Sequence, residues 1–252
     1  MTDISVAIVA FNNEEDVRNA VCSIQEHTAK TITKKIYIID NSTEQNHLKQ
    51  LQDEEVVYIK TGKNIGFGAG HNLILGELDS EYHAVVNPDI ILKEDSLFAL
   101  REFLQKNGAG MAVPRILDED GTLQKSYRRE ITLVDLLIRR LPLPFVKKRQ
   151  AYHTMQDMDF DQAFPVPFAH GCFYLVETAL FRELGGFDPR YFLYMEDADL
   201  CRRVNEKSRL YYCPDTAVIH KWEKGSAKSK KLLWIHIRSM WAYFRKWGWK
   251  LW

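Results

Sequence analysis

Residues 4–40 read ISVAIVAFNNEEDVRNAVCSIQEHTAKTITKKIYIID, and the change of period inside this stretch decides the fold. Ile4 to Ala10 is an apolar run of strand length. From Glu14 to His27 the apolar positions Val17, Ala20, Val21 and Ile24 fall at helical spacing. Lys35 to Asp40 (KIYIID) returns to a strand and closes on a carboxylate. Strand, helix and strand in this order are the unit from which parallel sheets are built.

The alternation continues downstream. Val56 to Ile59 reads as a strand, and the glycine-rich Gly62 to Gly70 leads into a helical stretch from Ala69 to Leu78. Tyr82 to Asn87 is a strand closed by Pro88. Glu94 to Lys106 is a helix with Leu97, Leu100, Phe103 and Leu104 on one face, and Met111 to Pro114 is a further strand. The pattern predicts an α/β fold with a mainly parallel central sheet flanked by helices. Ligands of such sheets sit beyond the carboxyl ends of the strands. The second half is less regular. Asp120-Gly121 marks a turn. Leu141 to Phe168, with Pro142, Pro144, Pro165 and Pro167, predicts a long loop or lid. Gly171 to Val176 is a strand, Glu177 to Leu184 a helix stopped by Gly185-Gly186, Glu196 to Lys207 a helix, and Leu210 to Cys213 a strand.

Composition bounds the classes of protein. The 252 residues hold 34 basic and 34 acidic side chains, with 46% hydrophobic and 27% charged residues, which is a globular and not a disordered chain. No uncharged stretch reaches the ~18 apolar residues of a membrane span. Met1 to Val6 carries Asp3 and no basic region, so no signal peptide is expected. Cys22, Cys172, Cys201 and Cys213 show no CxxC spacing, which predicts reduced thiols in a cytoplasmic protein and no thiolate zinc site. The zero net charge hides an asymmetry. Residues 228–252 hold seven basic residues, no acid and five of the six tryptophans, while the rest of the chain carries 27 basic and 34 acidic groups, a net of −7.

Candidate chemistry lies at the strand ends. Asp40 is placed to accept a hydrogen bond from a nucleobase imide, or to cap a turn with Asn41 and Ser42. Asn87-Pro88-Asp89 presents one carboxylate after a rigid turn; it suits a divalent cation that also holds phosphates, and it equally suits a plain turn. The segment Lys63 to Asn72 (KNIGFGAGHN) carries GxGxG before a helix, so that backbone can approach a phosphate, but it lacks the dinucleotide and phosphate-loop fingerprints. Glu196-Asp197-Ala198-Asp199 opens a helix after the aromatic Tyr191-Phe192-Leu193-Tyr194. Acids favour a first helical turn, yet three of them repel one another, and a general base beside a sugar platform explains the cluster as well. His220 ends the apolar run Thr216 to Ile219 and becomes a ligand candidate only if Asp89 holds a metal.

Taken in order, Phe11-Asn12-Asn13-Glu14, Asp40-Asn41-Ser42, Asn64 to Asn72, Asn87-Pro88-Asp89, Gly185-Gly186-Phe187-Asp188, Tyr194 to Arg203 and His220 resemble the family 2 glycosyltransferases of the GT-A fold. Within that family the chain is most similar to bacterial rhamnosyltransferase-type enzymes, in which NPD replaces DxD. The most specific part is GGFDPRYFLYMEDADLCRR, residues 185–203. The resemblance implies a catalytic domain at 1–227, with a nucleotide-binding half at 1–114 and an acceptor half at 115–227, followed by an amphipathic helical tail at 228–252. It implies that Phe11, Asn12 and Glu14 line the nucleotide pocket with Asn64, Gly66 and Asn72, that Asp40 reads the base, and that Asn87 replaces the first acid of the metal motif. Asp89 and His220 are implied to hold Mn²⁺ or Mg²⁺, Asp197 to be the base with Glu196 beside it, and Arg128 and Arg129 to lie near the substrate. The activity implied is inverting transfer of L-rhamnose from dTDP-L-rhamnose to a polyprenyl-diphosphate-linked saccharide in cell-wall or capsule assembly. A UDP-sugar donor, as for a galactofuranosyl- or hexosyltransferase, stays open, because an imide-reading carboxylate fits uracil and thymine alike.

The tail predicts peripheral attachment to an anionic membrane at its inner face, since tryptophan prefers the lipid interface and basic residues the lipid charge. Leu232 to Phe244 fits equally a helix packed on the domain, whereas Trp247 to Trp252 reads less like core. Two readings of another class compete: a non-catalytic nucleotide-binding module, and an RNA-binding protein using the aromatic tail. The acidic body argues against a nucleic-acid partner. A sugar-nucleotide hydrolase is the nearest enzymatic rival.

Overall fold

A computed structural model of the chain describes residues 2–138, 144–221 and 230–251. Leu141, Pro142, the expected domain boundary at 227/228, Lys228 and Trp252 lie outside the described residues.

The first half follows the sequence pattern closely. Strand β1 (Thr2–Ala10) is buried from Ile4 onward. It lies between β2 (Lys34–Asp40) and β4 (Ser80–Val86), parallel to both, and β3 (Val56–Lys60) is parallel to β2. A strand covered on both faces has no polar side to show, hence its continuous apolar run. Helix α1 (Glu14–His27) buries Val17, Ala20, Val21 and Ile24. Helix α2 (Phe67–Asn72) is six residues long, shorter than its sequence suggests.

The sheet is mixed: its longest pairings are parallel, and antiparallel strands join them. After β5 (Ile90–Leu92), α3 (Ser96–Asn107), β6 (Met111–Leu117) and β7 (Tyr127–Arg128) come α4 (Leu133–Ile138), α5 (Pro144–His153), β8 (Phe164–Pro165) and β9 (Phe168–Ala169). The chain then forms β10 (Phe173–Glu177), α6 (Thr178–Glu183), α7 (Glu196–Lys207), β11 (Leu210–His220) and α8 (Lys230–Trp247). The order across the main sheet is β3-β2-β1-β4-β10-β6-β11-β5, with β8 on β11. Strand β10 enters antiparallel to both β4 and β6, and β5 and β8 run antiparallel to β11. The segment before β10 is not a crossover helix, so nothing forces parallel entry. The predicted halves therefore share one sheet.

The proline-rich segment is not simply a loop. Pro144 starts helix α5, where its missing N–H costs nothing. Arg149 on that helix pairs with Asp135 of α4 at 2.6 Å. Strand β11 also runs past its expected end at Cys213, through an irregularity between Tyr212 and Ala217, to His220.

Candidate active site

Register brings Asp89 to His220. Strand β5 pairs with β11 so that Ile90 faces His220. The carboxylate one residue before Ile90 then lies beside the imidazole, with Asp89 Oδ2 3.3 Å from His220 Nε2. The other oxygen, Asp89 Oδ1, is buried and has no hydrogen-bond partner. His220 Nδ1 lies 2.9 Å from Gln124 Oε1. The Gln124 amide cannot be reversed, because its Nε2 donates to Asp118 Oδ1 at 2.7 Å and to the His220 carbonyl at 2.8 Å. In the neutral ring Nδ1 therefore carries the proton, and the Nε2 lone pair faces Asp89. Two acceptors at this distance repel unless a cation lies between them. The orphaned Oδ1 adds a third oxygen or nitrogen donor, so the pair fits a divalent ion. No group of three or more His, Cys, Asp or Glu side chains that could hold a metal is found among the described residues.

Asp197 and Glu196 open α7 behind two left-handed residues, Tyr194 (φ 69°) and Met195 (φ 70°). Non-glycine residues in that region cost of order 1–3 kcal/mol each and are retained where a site needs the resulting turn. Gly171 N donates to Asp197 Oδ2 at 3.1 Å, and Ala198 N donates to Oδ1 at 2.8 Å. A Cβ on Gly171 would stand 3.0 Å from Asp197 Cβ, so any other residue would crowd this approach. Burial raises the Asp197 pKa, against the lowering pull of the Gly171 and Ala198 amides and of Arg128. Glu196 is 5% exposed, and its Oε2 has no partner. Burial first, and repulsion from Asp197 second, push its pKa up. The pair thus tends to hold one proton on Glu196 while Asp197 faces the open site.

Asp89 and Asp197 both lie near one turn. The Asn87 N–H donates to the Cys172 carbonyl at 2.7 Å, and the neighbouring Gly171 holds Asp197. The buried Cys172 thiol is pushed up by burial, then by Asp89, with Asp197 adding to it. Asp197 also lines a cavity of about 550 Å³ with Gln124, Arg128, His170, Tyr194 and His236. Arg128 donates to the Lys125 carbonyl and lies over Phe168. Burial, followed by Arg128 and His220, holds His170 well below its ordinary pKa and hence neutral.

Other expected site residues are engaged within the chain. Asp40 is fully buried; its Oδ2 accepts from Asn46, Tyr58 and Lys60, and its Oδ1 from Ser42 N. Burial alone would raise its pKa, but the hydrogen bonds from Lys60, Ser42 and Tyr58 hold it well below the carboxylate range. Phe11 is 46% exposed at the end of β1. Asn12 bonds Ser42 and Glu44, and Glu14 is taken by Arg18 and His47 N. Asn64 Oδ1 accepts from Gly66 N, and Asn72 makes a two-way bond with the Phe187 backbone. A Cβ on Gly66 would stand 2.4 Å from the Phe192 carbonyl oxygen, and one on Gly68 2.8 Å from Phe187 Cβ. These two glycines admit protein backbone and rings. Arg129 pairs with Asp157. Asp199, the third acid of the cluster, accepts from Arg203, Lys246 and Trp247 Nε1 at 2.7, 2.6 and 2.8 Å, and so holds α8. Gln124, His170, Cys172 and His236 lie in irregular chain or inward helix positions that no periodicity marks.

A mixed α/β sheet with an acid–histidine pair at its strand ends and a helix-opening acid pair beside it defines a GT-A-type glycosyltransferase, of the class that takes nucleotide-activated sugars. The family described as Glycosyl transferase family 2 matches residues 5–185, and the chain belongs to it. The chain is 25% identical to the low-salt glycan biosynthesis hexosyltransferase Agl10 of Haloferax volcanii over 226 residues, covering 87% of this chain and 67% of that protein. It is 28% identical to N-acetylglucosaminyl-diphospho-decaprenol L-rhamnosyltransferase of Mycobacterium tuberculosis over 239 residues, covering 87% and 76%. It is 26% identical to rhamnosyltransferase WbbL of Escherichia coli K12 over 255 residues, covering 96% and 93%. Among solved structures, GalNAc-T7 with UDP, GalNAc and Mn²⁺ shares the fold with a TM-score of 0.66 at 20% identity, covering 89% of this chain and 45% of that one.

Proposed function

We propose that the protein is an inverting, metal-dependent glycosyltransferase that moves L-rhamnose from dTDP-L-rhamnose to a polyprenyl-diphosphate-linked saccharide, in bacterial cell-surface polysaccharide assembly at the inner face of the membrane. The observation that carries the reading is that Asp89 and Asp197 both lie near the Gly171–Cys172 turn. One carboxylate faces a cation site and the other a cavity of acceptor size. The rhamnose assignment draws on the two relatives whose names carry that sugar. A UDP-hexose donor is the alternative that the archaeal hexosyltransferase favours.

In this reading residues 1–114 bind the nucleotide and residues 115–227 the acceptor. Phe11 offers an exposed ring to the base. Asp40 takes the imide N–H by exchanging it for the exposed Lys60 ammonium. Asp89 and His220 would hold Mn²⁺ or Mg²⁺, and such an ion would supply positive charge to the departing diphosphate. Asp197 accepts the proton of the attacking acceptor hydroxyl, while the anomeric carbon–oxygen bond breaks and its electron pair leaves with the nucleoside diphosphate. The hydroxyl arrives opposite the leaving group, so the anomeric configuration inverts. Arg128 favours the ionised form of Asp197 against the burial that raises its pKa, and the raised pKa strengthens it as a base. The raised pKa also sets the acid limb of the rate profile above the ordinary carboxylate range.

The test incubates the protein with dTDP-rhamnose, UDP-galactofuranose and UDP-hexoses, a lipid-linked acceptor and Mn²⁺, and reads product masses. A rhamnosylated lipid product is expected. Asp197→Asn is expected to fold normally and lose ~100- to 10,000-fold in turnover. Near-normal transfer by that variant would remove Asp197 from the mechanism, and a free sugar in place of a lipid product would make the protein a hydrolase.

A further inference from the structure

We propose that the outward face of α8 is the surface on which the enzyme rests on an anionic bilayer. The inference rests on the reading that the acceptor is lipid-linked.

Helix α8 carries apolar residues on two opposite sides. Inward, Ser239 and Tyr243 are buried against the domain, and Phe244 is buried with Trp249 stacked on it. Outward, Leu233, Ile237 and Trp241 recur every four residues with Trp234 beside them, at 49, 44, 52 and 71% exposure. Residues at this spacing share one helix face. Lys230, Lys231, Arg238 and Arg245 are exposed along the same side, and α8 contains no acid. An exposed apolar stripe with two tryptophans and a cationic border matches the headgroup and acyl boundary of an anionic leaflet. A buried helical core has no use for the border, and a polar surface has no use for the stripe. No described helix is long and apolar enough to cross a membrane, so the fit is to a surface.

The inward face fixes how the body would sit. Ser239 Oγ donates to the Leu193 carbonyl at 2.8 Å, Lys246 bridges Asp188 and Asp199 at 2.8 and 2.6 Å, and Arg202 lies 4.4 Å from the Trp247 ring centroid. His236, on the inward side, stacks on Tyr194 at 4.8 Å, and both line the Asp197 cavity. Helix α8 is thus a wall with lipid-seeking residues on one side and the acceptor cavity on the other. A saccharide on a membrane-held diphosphate needs only to pass the edge of this wall.

Beyond α8 the backbone is tied to the domain, while Trp249 and Leu251 stay exposed. The Leu133 and Val134 N–H groups donate to the Lys250 and Leu251 carbonyls at 3.0 and 3.2 Å, Lys250 pairs with Glu130, and Trp249 stacks on Phe244. Trp247 gives its indole N–H to Asp199.

The experiment sediments the full chain, without donor or acceptor, with vesicles of phosphatidylcholine containing one-quarter phosphatidylglycerol and with vesicles of phosphatidylcholine alone. Wild type is expected to partition to the anionic vesicles. The double variants Trp234→Ser with Trp241→Ser, and Lys231→Glu with Arg238→Glu, are each expected to reduce that partition by about tenfold or more. Their thermal transitions, read alongside, show that they fold. The tryptophan variant is expected to keep transfer to a water-soluble acceptor, which separates loss of docking from failure of the transferase reading. Unchanged sedimentation of folded double variants would overturn the proposal. So would wild type that ignores vesicles and instead forms a dimer broken by the same substitutions, which would make the face a contact between copies.

Discussion

Gln124 sits in no motif, yet it decides which nitrogen of His220 faces Asp89. Its two amide donations lock the orientation that receives His220 Nδ1–H. Outer partners of this kind are worth about 10- to 100-fold in metal affinity. Gln124→Leu removes the acceptor and is expected to weaken Mn²⁺ binding by about that factor, read by paramagnetic relaxation of water protons in the presence of nucleotide. Gln124→Glu restores an acceptor and is expected to recover most of it; equal affinity in all three proteins would show that Gln124 does not orient the ring. Glu196 makes a second prediction. Its raised pKa means that the folded protein binds more protons than the unfolded chain once the pH exceeds the unfolded value of ~4.3. The stability it contributes is fully present below that value and is lost as pH rises through the folded one. Gln mimics the protonated acid, so Glu196→Gln is expected to melt like wild type near pH 5 and above it near pH 8. Parallel melting-temperature curves for the two proteins would show that Glu196 is not held protonated.

At the scale of elements, the first four main strands and α1 could be read from period alone, because a buried parallel strand is continuously apolar and a surface helix is not. Pairing direction has no such signature, so the antiparallel entry of β10 was invisible. Pro214-Asp215 interrupts the run that would have extended β11, and prolines masked α5 although Pro144 stands where a helix accepts it. Asp89, Asp197 and His220 stood out because each ends or opens an element. Their placement depends on the β5–β11 register and the Gly171–Cys172 turn, which no local pattern encodes. The acid cluster also divides by surroundings: Asp197 lines the cavity, Glu196 is buried behind it, and Asp199 docks α8. Asp199→Asn keeps the shape but leaves Arg203 and Lys246 without their shared charge, at a cost of order 3 kcal/mol. The expected result is a lower melting temperature with faster amide exchange in residues 230–247 than elsewhere. Unaltered protection of that helix would mean that apolar packing alone holds it.

Across the whole molecule, the proposed function asks the sheet to gather a nucleotide side and an acceptor side around a cation held by few protein ligands. Asp89 and His220 offer two side chains, whereas a divalent ion of this kind takes about six ligands. In the proposed reading diphosphate oxygens and water would supply the rest, so cation and nucleotide would bind as partners. Thermodynamic linkage requires each to raise the other's affinity by the same factor. In a thermal-shift series, UDP or dTDP alone and Mn²⁺ alone are expected to give small rises in melting temperature, and the two together a rise larger than their sum. His220→Ala is expected to abolish the excess and leave the nucleotide-only shift in place, because the base and ribose contacts belong to other strands. Replacing the nucleobase separates the two sides again: CDP, whose ring nitrogen accepts where uracil donates, is expected to keep the metal-dependent excess and lose the base-dependent part. Simple additivity of the UDP and Mn²⁺ shifts would mean that the Asp89–His220 pair does not share a cation with the diphosphate. A CDP shift equal to that of UDP would take base reading away from Asp40.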